Sequence, residues 1–147
     1  MISDATFHRT LESRLTAGAS ALRKYGRSLT EAGGPEFFAG REAYDACYAA
    51  GLALALWTDL ALRSHGHEDG LEGLMRDCGV TARDLGSWEQ LLRSRLPGPE
   101  VDSYMSLITR TEAIDWESFF DAVGLTVEQA RNGIEVSPTC LSLLRPQ

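Results

Sequence analysis

Lysine is almost missing from this 147-residue chain: of its 14 Lys and Arg residues, only Lys24 is a lysine. With plentiful alanine, leucine and glycine, that is the usage of a GC-rich bacterial genome. Positive charge is scarce altogether. Acidic residues number 21, and the net charge of −7 argues against a general nucleic-acid binder, because neutralising phosphates takes a basic face. Cysteine is limited to Cys47, Cys78 and Cys140, an odd number with no CxxC pair, so neither a disulfide framework nor a structural zinc site is expected. The opening MISDATFHRTLESRL lacks the apolar core of a secretory signal, and the longest apolar run, Gly51 to Trp57, is too short to cross a bilayer. These absences together predict a soluble cytoplasmic chain with no membrane partner. HExxH, GxSxG, P-loop, GxGxxG and EF-hand patterns are all missing, so no metal and no cofactor are expected.

What remains is ordinary for a globular protein: 44% hydrophobic and 24% charged residues, enough for one domain with a single core. Helical periodicity dominates. Ser3 or Asp4 caps a first helix with Phe7, Leu11, Leu15 and Leu22 along one stripe, and Gly26 stops it. Ser28 to Gly40, with three glycines and Pro35, reads as a loop holding at most one helical turn. A long helix follows from about Gly40 to Ser64. Tyr44, Cys47, Tyr48, Gly51, Leu52, Ala55 and Leu56 recur along it at three- and four-residue steps. Its nearly all-apolar second half suggests the centre of the domain.

Further helices are expected over Gly70–Cys78, around Trp88–Leu96 with Thr81 or Ser87 as cap, and after PGPE with Val101, Tyr104, Met105 and Ile108 inward. Asp115 caps a last one carrying Trp116, Phe119, Phe120 and Val123. The tail is least patterned and offers either another helical turn or a short strand such as Gly133 to Val136. The predicted fold is all-α, a single-domain bundle of about six helices. Its domain spans residues 1–125, and 126–147 form an extension.

Residues 48–63, YAAGLALALWTDLALR, resemble the "Y-x-K-G, apolar run, L-D-x-x-L-R" helix of the glycyl aminopeptidases, a gluzincin family of zinc metallopeptidases. Tyr48, Gly51, Asp59, Leu62 and Arg63 fall at matching spacings. HGHEDGLEGLMRDCG then resembles that family's "S-L-D-D-hydrophobic-M-R" helix, through Leu71, Leu74, Met75 and Arg76. ISDATFHRTLESRL, GRSLTEA and DWESFFDAVGL resemble further segments in the same order, over roughly residues 1–125. Two departures qualify what the resemblance implies. The zinc-bearing half and the flanking domains of the family have no counterpart in this chain, and Ala50 stands where the family has lysine.

The resemblance implies that Tyr48 corresponds to a tyrosine that stabilises the oxyanion of the tetrahedral state, a task for which a phenol is suited because it donates a hydrogen bond without carrying full charge. The plain reading is a core tyrosine bonded to a backbone carbonyl. Tyr44 and Cys47 share its helical face, and with Gly51 and Arg41 they complete the expected ligand-binding set. Cys47 has no histidine near it in sequence and reads as a small hydrophobe. His65 and His67, with Glu68 and Asp69, read as a solvated loop, and His8 as exposed. Asp59 and Arg63, four apart, are expected to pair.

Two functions follow. In the first, an inherited cleft binds a small organic molecule or short peptide, and Tyr48 acts as acid or hydrogen-bond donor in a metal-free cyclase, isomerase or lyase step. In the second, the chain is a non-enzymatic interaction module. It packs against a partner chain, such as a separate peptidase half, or against another copy of itself through an uncovered apolar face. A closed pocket at Tyr48 favours the first; an open apolar surface favours the second.

Overall fold

A computed structural model describes residues 3–79, 84–110, 118, 121, 127–130 and 133–136. Six α-helices are bounded within the described residues: α1 (Asp4–Tyr25), α2 (Leu29–Ala32), α3 (Arg41–Ser64), α4 (Gly70–Cys78), α5 (Leu85–Arg93) and α6 (Gly98–Thr109). The helical bundle expected from the sequence is therefore the architecture. A single 3-10 turn, Pro35–Phe38, sits between α2 and α3. One small antiparallel hairpin, β1 (Val127–Ala130) with β2 (Gly133–Val136), pairs Val127 with Val136, and β2 lies against α1. Of the helix predicted from Asp115, Ser118 and Asp121 are helical; Asp115, Trp116, Phe119, Phe120 and Val123 lie outside the described residues.

The boundaries follow local chemistry. The Ser3 hydroxyl accepts from the Thr6 amide at the start of α1, and Gly26, at φ 66°, ends the helix in the left-handed region. The stretch expected to be mostly loop is more ordered than that. Ser28 Oγ accepts from the Glu31 amide, and the Glu31 carboxylate accepts from the Ser28 amide. This reciprocal capping box holds a short helix that Gly33 and Gly34 would otherwise discourage. At α5 the cap is Asp84, whose carboxylate accepts from the Ser87 amide, rather than Thr81 or Ser87. The aspartate sits one step ahead of the helix, where an acceptor meets the free amides.

The long helix α3 is central, as expected, but it turns a different face inward. Ala43, Ala46, Ala50, Ala53, Trp57, Leu60 and Ala61 are buried, whereas Tyr44, Tyr48 and Leu52 are exposed. Small residues won the core face because α3 packs most extensively on α1, and that contact is close. A Cβ built on Gly18 of α1 would lie 2.9 Å from the Ala49 carbonyl oxygen, so the bulky ring side of α3 does not fit there. On α1 the correction is similar: Leu11 and Leu15 are buried while Phe7 is 45% exposed.

By length and composition α3 is apolar enough to cross a membrane, which the uninterrupted run alone did not suggest; half of its apolar window is buried inside the bundle. The core continues through Leu62, Leu74, Leu92, Leu96, Val101, Tyr104 and Ile108. Gly18 supplies a test of the α1–α3 contact. A helix-interior glycine changed to alanine normally gains about 1 kcal/mol from propensity. Here Gly18→Ala is expected to lose stability, by about 1–3 kcal/mol, because backbone on a packed helix must move to admit the methyl. Urea unfolding followed by circular dichroism reads the sign directly.

Candidate functional site

Tyr44 and Tyr48 are one helical turn apart on α3, and their rings stack at 4.4 Å between centroids. Phe37 of the 3-10 turn closes over both, at 5.3 Å from Tyr44 and 6.2 Å from Tyr48, and Phe38 meets Phe37 edge-on at 4.9 Å. The turn delivers these rings because Pro35 fixes its first residue, a position where a proline's missing N–H costs nothing. Four aromatic rings thus form one continuous surface feature.

That surface is open. Phe38 is 91% exposed, Tyr48 62% and Tyr44 44%, with Leu52 following at 38%. The alternative of a core tyrosine satisfied by a backbone carbonyl is overturned by the outward turn of α3. A hydrogen bond with Tyr48 and the neighbouring phenol's charge raise the pKa of Tyr44 above the ordinary phenol value. Tyr44 is therefore a weaker acid than a free tyrosine.

The other expected members of the set are dispersed around the rings. Cys47 is half-buried on the flank, and burial pushes its thiol pKa up, which suppresses the reactive thiolate. Gly51 lies at the surface with open space where a side chain would stand. Arg41 is exposed at the helix start and lies 3.5 Å from Asp45. Lys24 with Glu42, and Arg27 with Glu36, complete a rim of ion pairs at this end of the bundle. Sequence reading missed Phe37 and Phe38. The available signal was the proline-led PEFF after two glycines, a turn chemistry that brings two rings out beside the next helix.

Glu36 also anchors the patch from behind, since its Oε2 accepts from the Tyr25 hydroxyl at 2.6 Å. That bond to a carboxylate, then burial, push the Tyr25 pKa up from 10.0 to about 12. A raised phenol pKa means its contribution to stability is full below about pH 10 and is lost as pH climbs through about 12. Phenolate absorbance is expected to show one tyrosine ionising near 12, and Tyr25→Phe to remove that step.

The histidine loop serves structure. Asp59 Oδ2 and Arg63 Nε pair at 2.9 Å as expected. Asp59 Oδ1 accepts from the Leu71 amide at 2.8 Å, and Arg63 donates to the Glu68 carbonyl at 2.7 Å. His65 lies 2.9 Å from Glu100 of α6, and His67 lies 3.1 Å from the Arg95 carbonyl oxygen. The loop is thus tied to its neighbours rather than merely solvated. Among the described residues no group of three His, Cys, Asp or Glu side chains has metal-binding proximity. His8, expected to be simply exposed, pairs with Glu12 one turn on at 2.9 Å. An open polar groove of about 400 Å³ lies beside this loop. Its two arginines face aspartates within it, Arg76 with Asp69 and Arg95 with Asp77.

No family model, no curated protein and no solved structure matches this chain.

Proposed function

We propose that the chain is a non-enzymatic interaction module, and that the Phe37–Phe38–Tyr44–Tyr48–Leu52 face of α3 and the preceding turn is its docking surface. The single observation carrying this reading is one packed aromatic cluster in which Phe38, Tyr44 and Tyr48 are exposed on an open face around the half-buried Phe37. Soluble chains seldom leave such a cluster bare, and aromatic residues with polar tips are the side chains that most often anchor protein contacts. The resemblance to the helical half of a gluzincin catalytic domain belongs to the same proposal. The openness of Tyr48 weighs against the ligand-cleft reading, in which a phenol works inside a walled, water-poor pocket.

A photo-crosslinking amino acid placed at position 48 tests this in living cells producing the protein, with position 75 of α4, also exposed, as control. Strong adducts from position 48 with few from position 75 are expected. Equal, weak labelling from both would remove the docking surface.

A further inference from the structure

We infer that the occupant of this face is a second copy of the chain, docked antiparallel along α3 about a twofold axis beside Tyr48, an inference that rests on the interaction reading above. The exposed positions Arg41, Tyr44, Tyr48 and Leu52 recur at three- and four-residue steps, with Ala55 next in the series. They form a narrow stripe along one long helix, the shape against which another helix packs. Gly51 lies within the stripe with nothing near its missing side chain, so it leaves a notch.

The stripe is complementary to itself reversed. Turning a second α3 antiparallel about Tyr48 sets Tyr44 of each copy against Leu52 and the Gly51 notch of the other. Arg41 then meets Ala55. Each aromatic position of the stripe is thus met by an aromatic or apolar one, Tyr48 by Tyr48 and Tyr44 by Leu52, which is the self-matching an isologous interface requires. A parallel pairing in register would set Arg41 against Arg41 and Asp45 against Asp45, like-charge contacts that the antiparallel pairing keeps apart.

Electrostatics selects the same face. Two chains of net charge −7 repel over most of their surfaces. Around the aromatic patch, three basic residues (Lys24, Arg27, Arg41) are paired with three acidic ones (Glu42, Glu36, Asp45). This locally neutral rim lets identical acidic chains approach, whereas an oppositely charged partner would gain nothing there.

Light scattering on the purified full chain, over a concentration series, is the test. The expected mass is close to twice the 16.1 kDa chain, falling toward one chain on dilution. Tyr48→Glu is expected to stay monomeric throughout with unchanged helical circular dichroism, and Met75→Glu to behave as wild type. A wild-type mass of one chain at every concentration overturns the inference, as does a dimer that survives both Tyr48→Glu and Leu52→Glu. Orientation is read by mixing Arg41→Cys chains with Ala55→Cys chains, the native cysteines replaced by serine. A mixed disulfide is expected, and Arg41→Cys chains linked only to each other would overturn the antiparallel arrangement. If position 48 crosslinks to a different protein while scattering gives a monomer, the docking surface stands and the second copy falls. If position 48 captures nothing and scattering gives a monomer, both fall.

Discussion

Trp57→Ala is expected to cost about 3–5 kcal/mol of folding stability. Trp57 is completely buried, and its ring lies 5.2 Å from that of Tyr104 on α6. It therefore joins the alanine-rich α1–α3 contact to the α5–α6 end of the core. Ala53 and Ala61, one turn away on either side along α3, have no side-chain length with which to refill the space, so much of the cavity persists. A domain of this size holds about 5–15 kcal/mol in total, which leaves the variant near the edge of folding. The comparison substitution is Trp88→Ala. Trp88 is only half-buried, with its indole N–H donating to the Tyr104 hydroxyl at 3.2 Å, and a smaller loss is expected. Urea midpoints give both values, and a Trp57→Ala midpoint equal to wild type would contradict this core arrangement.

Gly70→Ala is expected to destabilise nearly as strongly, through geometry rather than burial. Gly70 has φ 51°, in the left-handed region where a β-carbon is strained by roughly 1–2 kcal/mol. An added Cβ would also collide with Asp59 Oδ1, the oxygen that accepts from the Leu71 amide. The methyl and that hydrogen bond cannot coexist, so a further loss of about 1–3 kcal/mol is expected as the α3–α4 corner opens. A double-mutant cycle distinguishes the two components. Asp59→Ala alone removes the acceptor and the Arg63 partner. In the Asp59→Ala background the carboxylate is gone and Arg63, whose Nε lies 2.9 Å from the added Cβ, is released to swing aside, so the added cost of Gly70→Ala is expected to shrink toward the backbone strain. Full additivity of the two substitutions would contradict the collision.

Much of the fold was legible because helical periodicity and helix-ending glycines are local signals. The span of α3, the stop at Gly26, the Gly70–Cys78 helix and the proline-led α6 all rest on such signals, whereas the Gly133–Val136 strand was one of two readings the sequence left open. The error lay in the face of α3. Hydrophobicity ranks tyrosine and leucine above alanine as core candidates, whereas the distance between α1 and α3 is set by Gly18 and admits only small side chains. Periodicity locates a stripe but does not measure the gap it must fill. For the same reason Tyr44 and Tyr48 were found as a pair, but their outward direction was not. Phe37 and Phe38 escaped because their place beside α3 depends on a turn, with a capping box before it, that a glycine-rich stretch conceals. The Asp59–Arg63 pair was visible from spacing; its hold on the Leu71 amide needed the long-range approach of α4.

Hydroxyl-radical footprinting across a concentration series tests the central claim, that the aromatic face of α3 is a contact surface occupied by a second chain. The account predicts that Phe38, Tyr44, Tyr48 and Leu52 lose reactivity together as concentration rises, while Met75 on α4 stays constant. Unchanged labelling of those four residues from dilute to concentrated solution would contradict it.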